Sequence, residues 1–410
     1  MLATLRQRGF ALLWFAGLVS LMGNWMLSIG LKVVVYTMTG SVLAVGGMLL
    51  ASTLPGILFS SIAGVYVDRW ERRRTLVLVN VLLALSILPL LLVRSADWLW
   101  LVYVVTFVQS SLSRFFAPAE NAMLPLLSDP KYLVTANALN ALNNNLARLI
   151  GPAVGGFLVL TGLEGVVLVD ALTYVVAAVL VALISVTSHP GKSETPRLGV
   201  RPIVAEWVAG LRIIWRQQTV RALLLLGLLP AVSESIMYVL FVPFVTQILR
   251  GDAAHVGGLA SAQAVGGLAG SLVIGAVATR FRPARLLGYA ALGLGCADLL
   301  LFNYSGLIPN IAIAYGLFIL AGPCAVGIGA SYLTLMQSNV PDAYRGRVFS
   351  TFSLTESLVA PVGILIAGLG DTVGIVPIIN IQGYAYILVG IGCLLLLRDQ
   401  APRLAVQGAD

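Results

Sequence analysis

Seven ionisable residues stand where the chain is otherwise oily. Arg114, Arg148, Glu120 and Asp170 occur in the first half, and Glu234, Asp298 and Glu356 in the second, each within a long apolar run. A charge at the centre of a bilayer costs about 2.5–3.5 kcal/mol on insertion scales, so these residues need a partner or a purpose. Two chemistries suit them. A lone carboxyl taken into low dielectric can bind and release a proton near neutral pH. An arginine at similar depth can hold an anionic group or form a fixed ion pair with such a carboxyl. Glu234 is the first candidate proton carrier, Glu356 the second and Asp298 the third. Static pairing with Arg114 or Arg148 is the other reading of the two glutamates, and Asp298 also reads as polar glue between helices. Arg148 ends a stripe of Asn137, Asn140 and Asn144, spaced so that all four share one helix face. Asparagines there can remake hydrogen bonds between conformations or tie two helices permanently. Trp25, Tyr238, Phe241 and Phe244 are candidate walls of an apolar pocket for amphipathic molecules, beside Asn24.

The elements that position these residues follow from composition. The chain has 410 residues, 59% apolar and 10% charged, with a mean hydropathy of +0.96. Soluble domains carry about 45–50% apolar and about 25% charged residues. That excludes a soluble enzyme, a disordered chain and a small disulfide scaffold, and leaves a protein solvated by lipid. A helix needs about 20 apolar residues to cross the hydrocarbon. Twelve such runs occur: 10–35, 43–67, 75–93, 98–123, 136–161, 165–187, 220–248, 256–279, 286–303, 309–336, 348–369 and 376–397. They are continuously apolar rather than alternating, which rules out barrel strands. The predicted fold class is therefore an all-α membrane protein of 12 transmembrane helices. The basic start resembles a signal peptide, but its apolar run is too long, so it reads as a retained first span.

Depth follows from about 1.5 Å per residue, which puts Arg114 roughly 14 Å and Arg148 roughly 18 Å from their inner helix ends. Lys32, near the outer end of span one, is expected to snorkel to the interface. Most Lys and Arg fall on one side of the spans, among them Arg6, Arg8, Arg72, Arg73, Arg74, Arg212, Arg280 and Arg345, whereas Arg94 and Arg250 fall on the other. This bias predicts both termini in the cytoplasm. It also accounts for the net charge of +8 without nucleic acid. Cys296, Cys324 and Cys393 lie in apolar runs without metal-ligand spacing, His189 and His255 lie in loops on opposite sides, and no nucleotide-binding loop is present. No cofactor, no metal and no enzymatic activity are expected.

The longest polar stretch, 188–219, divides six spans (1–187) from six (220–410). Within it Ile203, Val204, Trp207, Val208, Leu211, Ile214 and Trp215 recur at helical spacing, the pattern of an amphipathic helix at the inner surface. The halves echo each other. Gly64-Val65-Tyr66-Val67-Asp68-Arg69 after span two is answered by Gly275-Ala276-Val277-Ala278-Thr279-Arg280 after span eight, and Gly151-Pro152-Ala153-Val154-Gly155 in span five by Ala360-Pro361-Val362-Gly363 in span eleven. Two related six-span bundles are a transporter signature, because rocking one against the other exposes a central site alternately.

With these motifs the chain resembles the major facilitator superfamily, and within it the branch of macrolide- and siderophore-exporting permeases. The loop after span two is similar to the family's G-x-x-x-D-R-x-G-R-R pattern at Gly64, Asp68, Arg69, Arg72 and Arg73, and departs from it at Glu71. Span five is similar to the antiporter pattern G-x-x-x-G-P-x-x-G-G at Gly151, Pro152, Gly155 and Gly156, and departs at Ala147. The resemblance implies two pseudo-symmetric bundles, with spans one, four, seven and ten around a cavity. It implies a conformational latch at the first motif and exchange rather than import at the second. The implied activity is proton-coupled efflux of amphipathic small molecules by a monomer in the bacterial inner membrane. A transporter of another class, for a lipid or nutrient and without proton coupling, is the alternative. Two departures separate the chain from the family's usual proton machinery: Gln109 fills the slot of the span-four arginine, and Asn24 stands where exporters carry a span-one acid.

Overall fold

The computed structural model describes residues 2–128, 132–185 and 200–397, and all regular structure in them is helical. Twelve long helices carry the expected spans. In the first half these are α1 (Arg8–Thr39), α2 (Val42–Arg69), α3 (Arg72–Ile87, continued by a 3-10 turn Leu88–Leu92), α4 (Leu99–Leu127), α5 (Leu133–Val159) and α6 (Leu163–Ala182). In the second they are α7 (Gln218–Pro243, continued by the π turn Phe244–Ile248), α8 (Ala253–Val277), α9 (Pro283–Asn303), α10 (Ile311–Asn339), α11 (Asp342–Gly368) and α12 (Ile375–Leu396). Eleven of them are long and apolar enough to cross a membrane. The exception is α5, whose 27 residues rise about 40 Å but carry the asparagines and Arg148.

The chain forms two compact units. One comprises Met1–Leu198 with Gly251–Ser261, the other Gly199–Arg250 with Ala262–Asp410. Within the first, α1 packs on α5 and α6, α3 on α4 and α6, and α2 on α4. Within the second, α7 packs on α11 and α12, and α9 on α10 and α12. There Gly266 and Gly270 of α8 lie against Ile319, Gly322 and Pro323 of α10. Adding six to each helix number in the first set reproduces the second, so the two units share one topology. The turns agree as well. Gly162 (φ 106°) precedes α6 and Gly374 (φ 105°) precedes α12, in a backbone region open to glycine.

Each unit has its own apolar core. Leu13, Leu76, Met123 and Val181 join α1, α3, α4 and α6. Leu223, Leu287, Met336, Phe352 and Val389 join α7, α9, α10, α11 and α12. Large apolar side chains also cover the outside, such as Leu272, Leu365 and Leu395, at 70% exposure or more. A surface of that kind requires lipid. The amphipathic helix Val200–Arg216 is present and is held to the second unit. Its Trp207 Nε1 donates to Thr355 Oγ1 of α11 (3.0 Å), and Ile214 is fully buried in that core.

Candidate functional site

Two acids of the second unit are held from α12. Tyr386 donates its hydroxyl to Glu234 Oε1 of α7 at 2.6 Å, and Gln382 Nε2 donates to Asp298 Oδ2 of α9 at 3.0 Å. Gln382 and Tyr386 stand one turn apart on one face of α12, so a single helix orients both carboxyls. Asp298 is itself within electrostatic reach of Glu234. Asp298 is buried, whereas Glu234 is exposed. Glu356 of α11 is exposed and near Tyr332 of α10. Tyr238, one turn along α7 from Glu234, is half-buried.

Phe241 and Phe244, expected as pocket walls, have their rings in the core of the unit. Phe241 packs edge-to-face on Phe318 (5.9 Å between centroids) and Phe244 on Phe302 (5.4 Å). Their apolar bodies are better buried among neighbouring helices than left facing a solute.

In the first unit, Asn24 is exposed on α1 and Trp25 half-buried beside it. The Arg148 guanidinium of α5 lies over the Trp25 ring, 5.5 Å from its centroid. This cation–π contact joins a candidate pocket wall to the residue that ends the asparagine stripe, two residues the sequence had placed in different groups. The α1–α5 seam that allows it depends on Gly151: a Cβ there would stand 2.7 Å from both Met22 O and Trp25 Cβ. Gly155 lies on Met26 one turn further along, and Gly156 faces Gly257 at the start of α8. Ser261 Oγ of α8 accepts the Ala153 amide at 3.1 Å, just past Pro152. Arg114 of α4 reaches α2, where its Nη2 lies 2.8 Å from the place a Cβ on Gly56 would take.

The asparagine stripe splits. Asn137, Asn144 and Arg148 are exposed and Asn140 is half-buried. Asn143, which the sequence reading passed over, is fully buried and donates to Trp14 O of α1 at 3.0 Å. Lys32 does not snorkel: it is buried among the helices of the first unit, far enough down α1 that packing encloses its stem.

At the loop after α2, the side chains of Gly64, Asp68 and Arg69 lie outside the described residues. Arg72 Nη1 donates to Ala122 O of α4 at 3.0 Å, and Arg73 donates to Ala182 O at the end of α6. Cations on the last carbonyls of a helix complement its dipole. Arg74 pairs with Glu71 at 2.7 Å, which gives the departing Glu71 a local role.

The residues sequence reasoning missed are Gln382 and Tyr386. Their signal was present as a glutamine and a tyrosine four apart, on one helix face of an apolar span that also carries Asn380 and Tyr384.

Known proteins agree with this architecture. Over 400 residues the chain is 25% identical to Macrolide efflux protein A of Streptococcus pyogenes, covering 94% of this chain and 95% of that one. It is 26% identical over 396 residues to Enterobactin exporter EntS of Shigella boydii (95% and 91% covered) and 28% identical over 381 residues to Multidrug efflux pump Tap of Mycolicibacterium fortuitum (89% and 90%). Its fold is similar to that of a bacterial homologue of the iron transporter ferroportin in an inward-facing state (TM-score 0.74, 17% identity, 95% and 98% covered). It is also similar to a POT family transporter in complex with 5-aminolevulinic acid (TM-score 0.75, 15% identity, 94% and 95%). Residues 13–364 match the Major Facilitator Superfamily, and the chain belongs to that superfamily as a multi-pass membrane transporter of small molecules.

Proposed function

We propose that the protein is a proton-coupled exporter of amphipathic small molecules that works by alternating access between its two six-helix halves, 1–187 and 220–410, joined by the linker 188–219. The relatives named for macrolide efflux, enterobactin export and multidrug efflux support the direction and the substrate class. The observation that carries proton coupling is the exposed Glu234 carboxyl, oriented by the Tyr386 hydroxyl at 2.6 Å. A carboxyl that accepts from a neutral hydroxyl and is open to solute can exchange a proton with each cycle. Glu356 is the second carrier candidate. Asp298 tunes Glu234 from behind. Asn24, Trp25, Arg114 and Tyr238 contact substrate, with Arg148 fixing Trp25. Gly64, Asp68, Arg69, Arg72 and Arg73 act as the latch, and Gly151, Pro152, Gly155 and Gly156 as the packing seam that favours exchange. The protein works as a monomer in the bacterial inner membrane with both termini in the cytoplasm.

Everted membrane vesicles test the coupling. Uptake of a macrolide or a lipophilic dye should require an acid interior. Glu234→Gln should abolish that requirement together with concentrative uptake. Normal gradient-driven uptake by Glu234→Gln overturns the assignment of the carrier.

A further inference from the structure

We infer that Glu120 of α4 is a second proton-exchange site, built into the first unit at a notch in α1 and reached through Asn140. Glu120 is 7% exposed, and its Oε1 is fully buried without a hydrogen-bond partner. It sits seven residues before the end of α4, roughly 10 Å from that end. The notch is Gly17. A Cβ on Gly17 would stand 2.6 Å from Glu120 Oε1 and 3.3 Å from Asn143 Nδ2, so the carboxyl occupies space that any other residue on α1 would fill. The Asn140 side chain hydrogen-bonds the same carboxyl. Asn143 turns its Nδ2 to Trp14 O and leaves its own Oδ1 unpartnered.

The described side chains that face Glu120 from α1 and α5 are neutral. From α1 comes Gly17, and from α5 come the neutral Asn140 and Asn143. From α3 comes Arg72, which spends Nη1 on the Ala122 carbonyl. The α2 side chains nearest that end lie outside the described residues. Among the described residues Glu120 makes no ion pair. An ionised carboxylate with an orphaned oxygen inside a lipid-solvated bundle is far costlier than a neutral acid.

Exchange requires a route, and here Glu120 differs from the other buried acid of this unit. Asn140 is half-buried, and Asn137 and Asn144 on the same stripe are exposed. A proton arriving at that polar face meets Asn140 and then Glu120. Asp170 of α6 is wholly buried against Gly23, with Thr173 Oγ1 3.2 Å from its Oδ1, and no polar stripe leads to it. Asp170 is the built-in control, a buried carboxyl set against Gly23 rather than beside the asparagine stripe.

The inference deepens the proton-coupled reading and rests on it for its purpose, but it is tested by proton binding alone. Infrared spectra of the purified protein in bilayers are recorded from acid to alkaline pH, in water and in D2O. Of the protonated-carboxyl bands that titrate and exchange, one should vanish in Glu120→Gln and persist in Glu234→Gln. A second band, slow to exchange with D2O, should vanish in Asp170→Asn. Asn140→Leu should keep the Glu120 band but slow its exchange with D2O several-fold, which tests the route without removing the acid. The inference is overturned if Glu120→Gln leaves every titrating band intact, if the band it removes also vanishes in Glu234→Gln, or if Asn140→Leu exchanges as fast as the parent. It also falls if added NaCl at fixed pH removes the band, since the site would then take Na+.

Discussion

Replacing Gly151 by alanine tests the seam that brings Arg148 to Trp25. The new Cβ would stand 2.7 Å from Met22 O and 2.7 Å from Trp25 Cβ, and 3.3 Å from Met26 N. These atoms belong to the α1 backbone or its first side-chain carbon, so no rotamer change moves them aside. Ordinary contact begins at 3.4 Å, so α1 and α5 must part by at least 3.4 − 2.7 = 0.7 Å at this point. Overpacking of this kind costs about 1–3 kcal/mol. Gly329 on α10 is the control, since nothing lies within 4 Å of a Cβ there. Alanine at such an open helical position stabilises by roughly 0.5–1 kcal/mol. The two variants should therefore differ by about 1.5–4 kcal/mol in unfolding free energy, with Gly151→Ala the less stable. Reversible unfolding in mixed micelles measures the difference. Equal stability of the two variants would refute the claim that α1 and α5 are in rigid backbone contact at this glycine.

Gln382→Leu should destabilise the second unit by about 1–3 kcal/mol, because it strips Asp298 Oδ2 of the donor at 3.0 Å. The double variant Asp298→Leu with Gln382→Leu should recover part of the loss, and a single variant no worse than the double would sink the pairing. At the start of α8, the His255 amide (3.0 Å) and then its ring (2.7 Å) bond the Asp252 carboxyl and hold it below the usual carboxylate range. A depressed acid stabilises the fold above its unfolded pKa of about 3.9, and that contribution is lost as pH falls through the lowered value. Amides in the first turn of α8 should therefore exchange faster, after correction for intrinsic rates, once the buffer becomes more acidic than Asp252. Asp252→Ala should show the faster exchange at neutral pH as well, and unchanged protection in both experiments would remove the cap.

The spans were legible because an apolar run of membrane length has few other uses. Every one of the twelve expected runs became a helix, and the ends moved by only a few residues. What the chain hides is azimuth. Each residue turns a helix by about 100°, so depth can be read from position, but the facing neighbour comes from another helix. Glu234 stood out at once, whereas its donor Tyr386 lies 152 residues away. Phe241 and Phe244 share an aromatic stretch with Tyr238, yet their rings turn to Phe318 and Phe302 inside the bundle. Glu120 was visible as an acid near a helix end. That it fills a notch at Gly17 depends on α1 and α4 together, and neither stretch of sequence shows it alone.

The internal repeat runs deeper than the glycine and proline motifs, and it shows what differs between the units. Asp170 follows Gly162 by eight residues, as Gln382 follows Gly374, and Tyr174 and Tyr386 each stand four residues further on. Both tyrosines are buried. In α6 the position eight beyond the turn is an acid, Asp170, close to its own Tyr174. In α12 the same position is a carboxamide, and the acid has moved to the facing helix as Asp298, where the carboxamide can donate to it. Tyr386 is then free to turn its hydroxyl to Glu234 on α7. A shared topology thus carries two polar fillings. The first unit holds carboxyls with orphaned oxygens, Glu120 and Asp170, set against glycines of α1. The second holds carboxyls with donors supplied from α12. The two units therefore differ in how their carboxyls are hydrogen-bonded, from within the same helix in Asp170 and from the facing α12 in Asp298 and Glu234, although their helices are arranged alike.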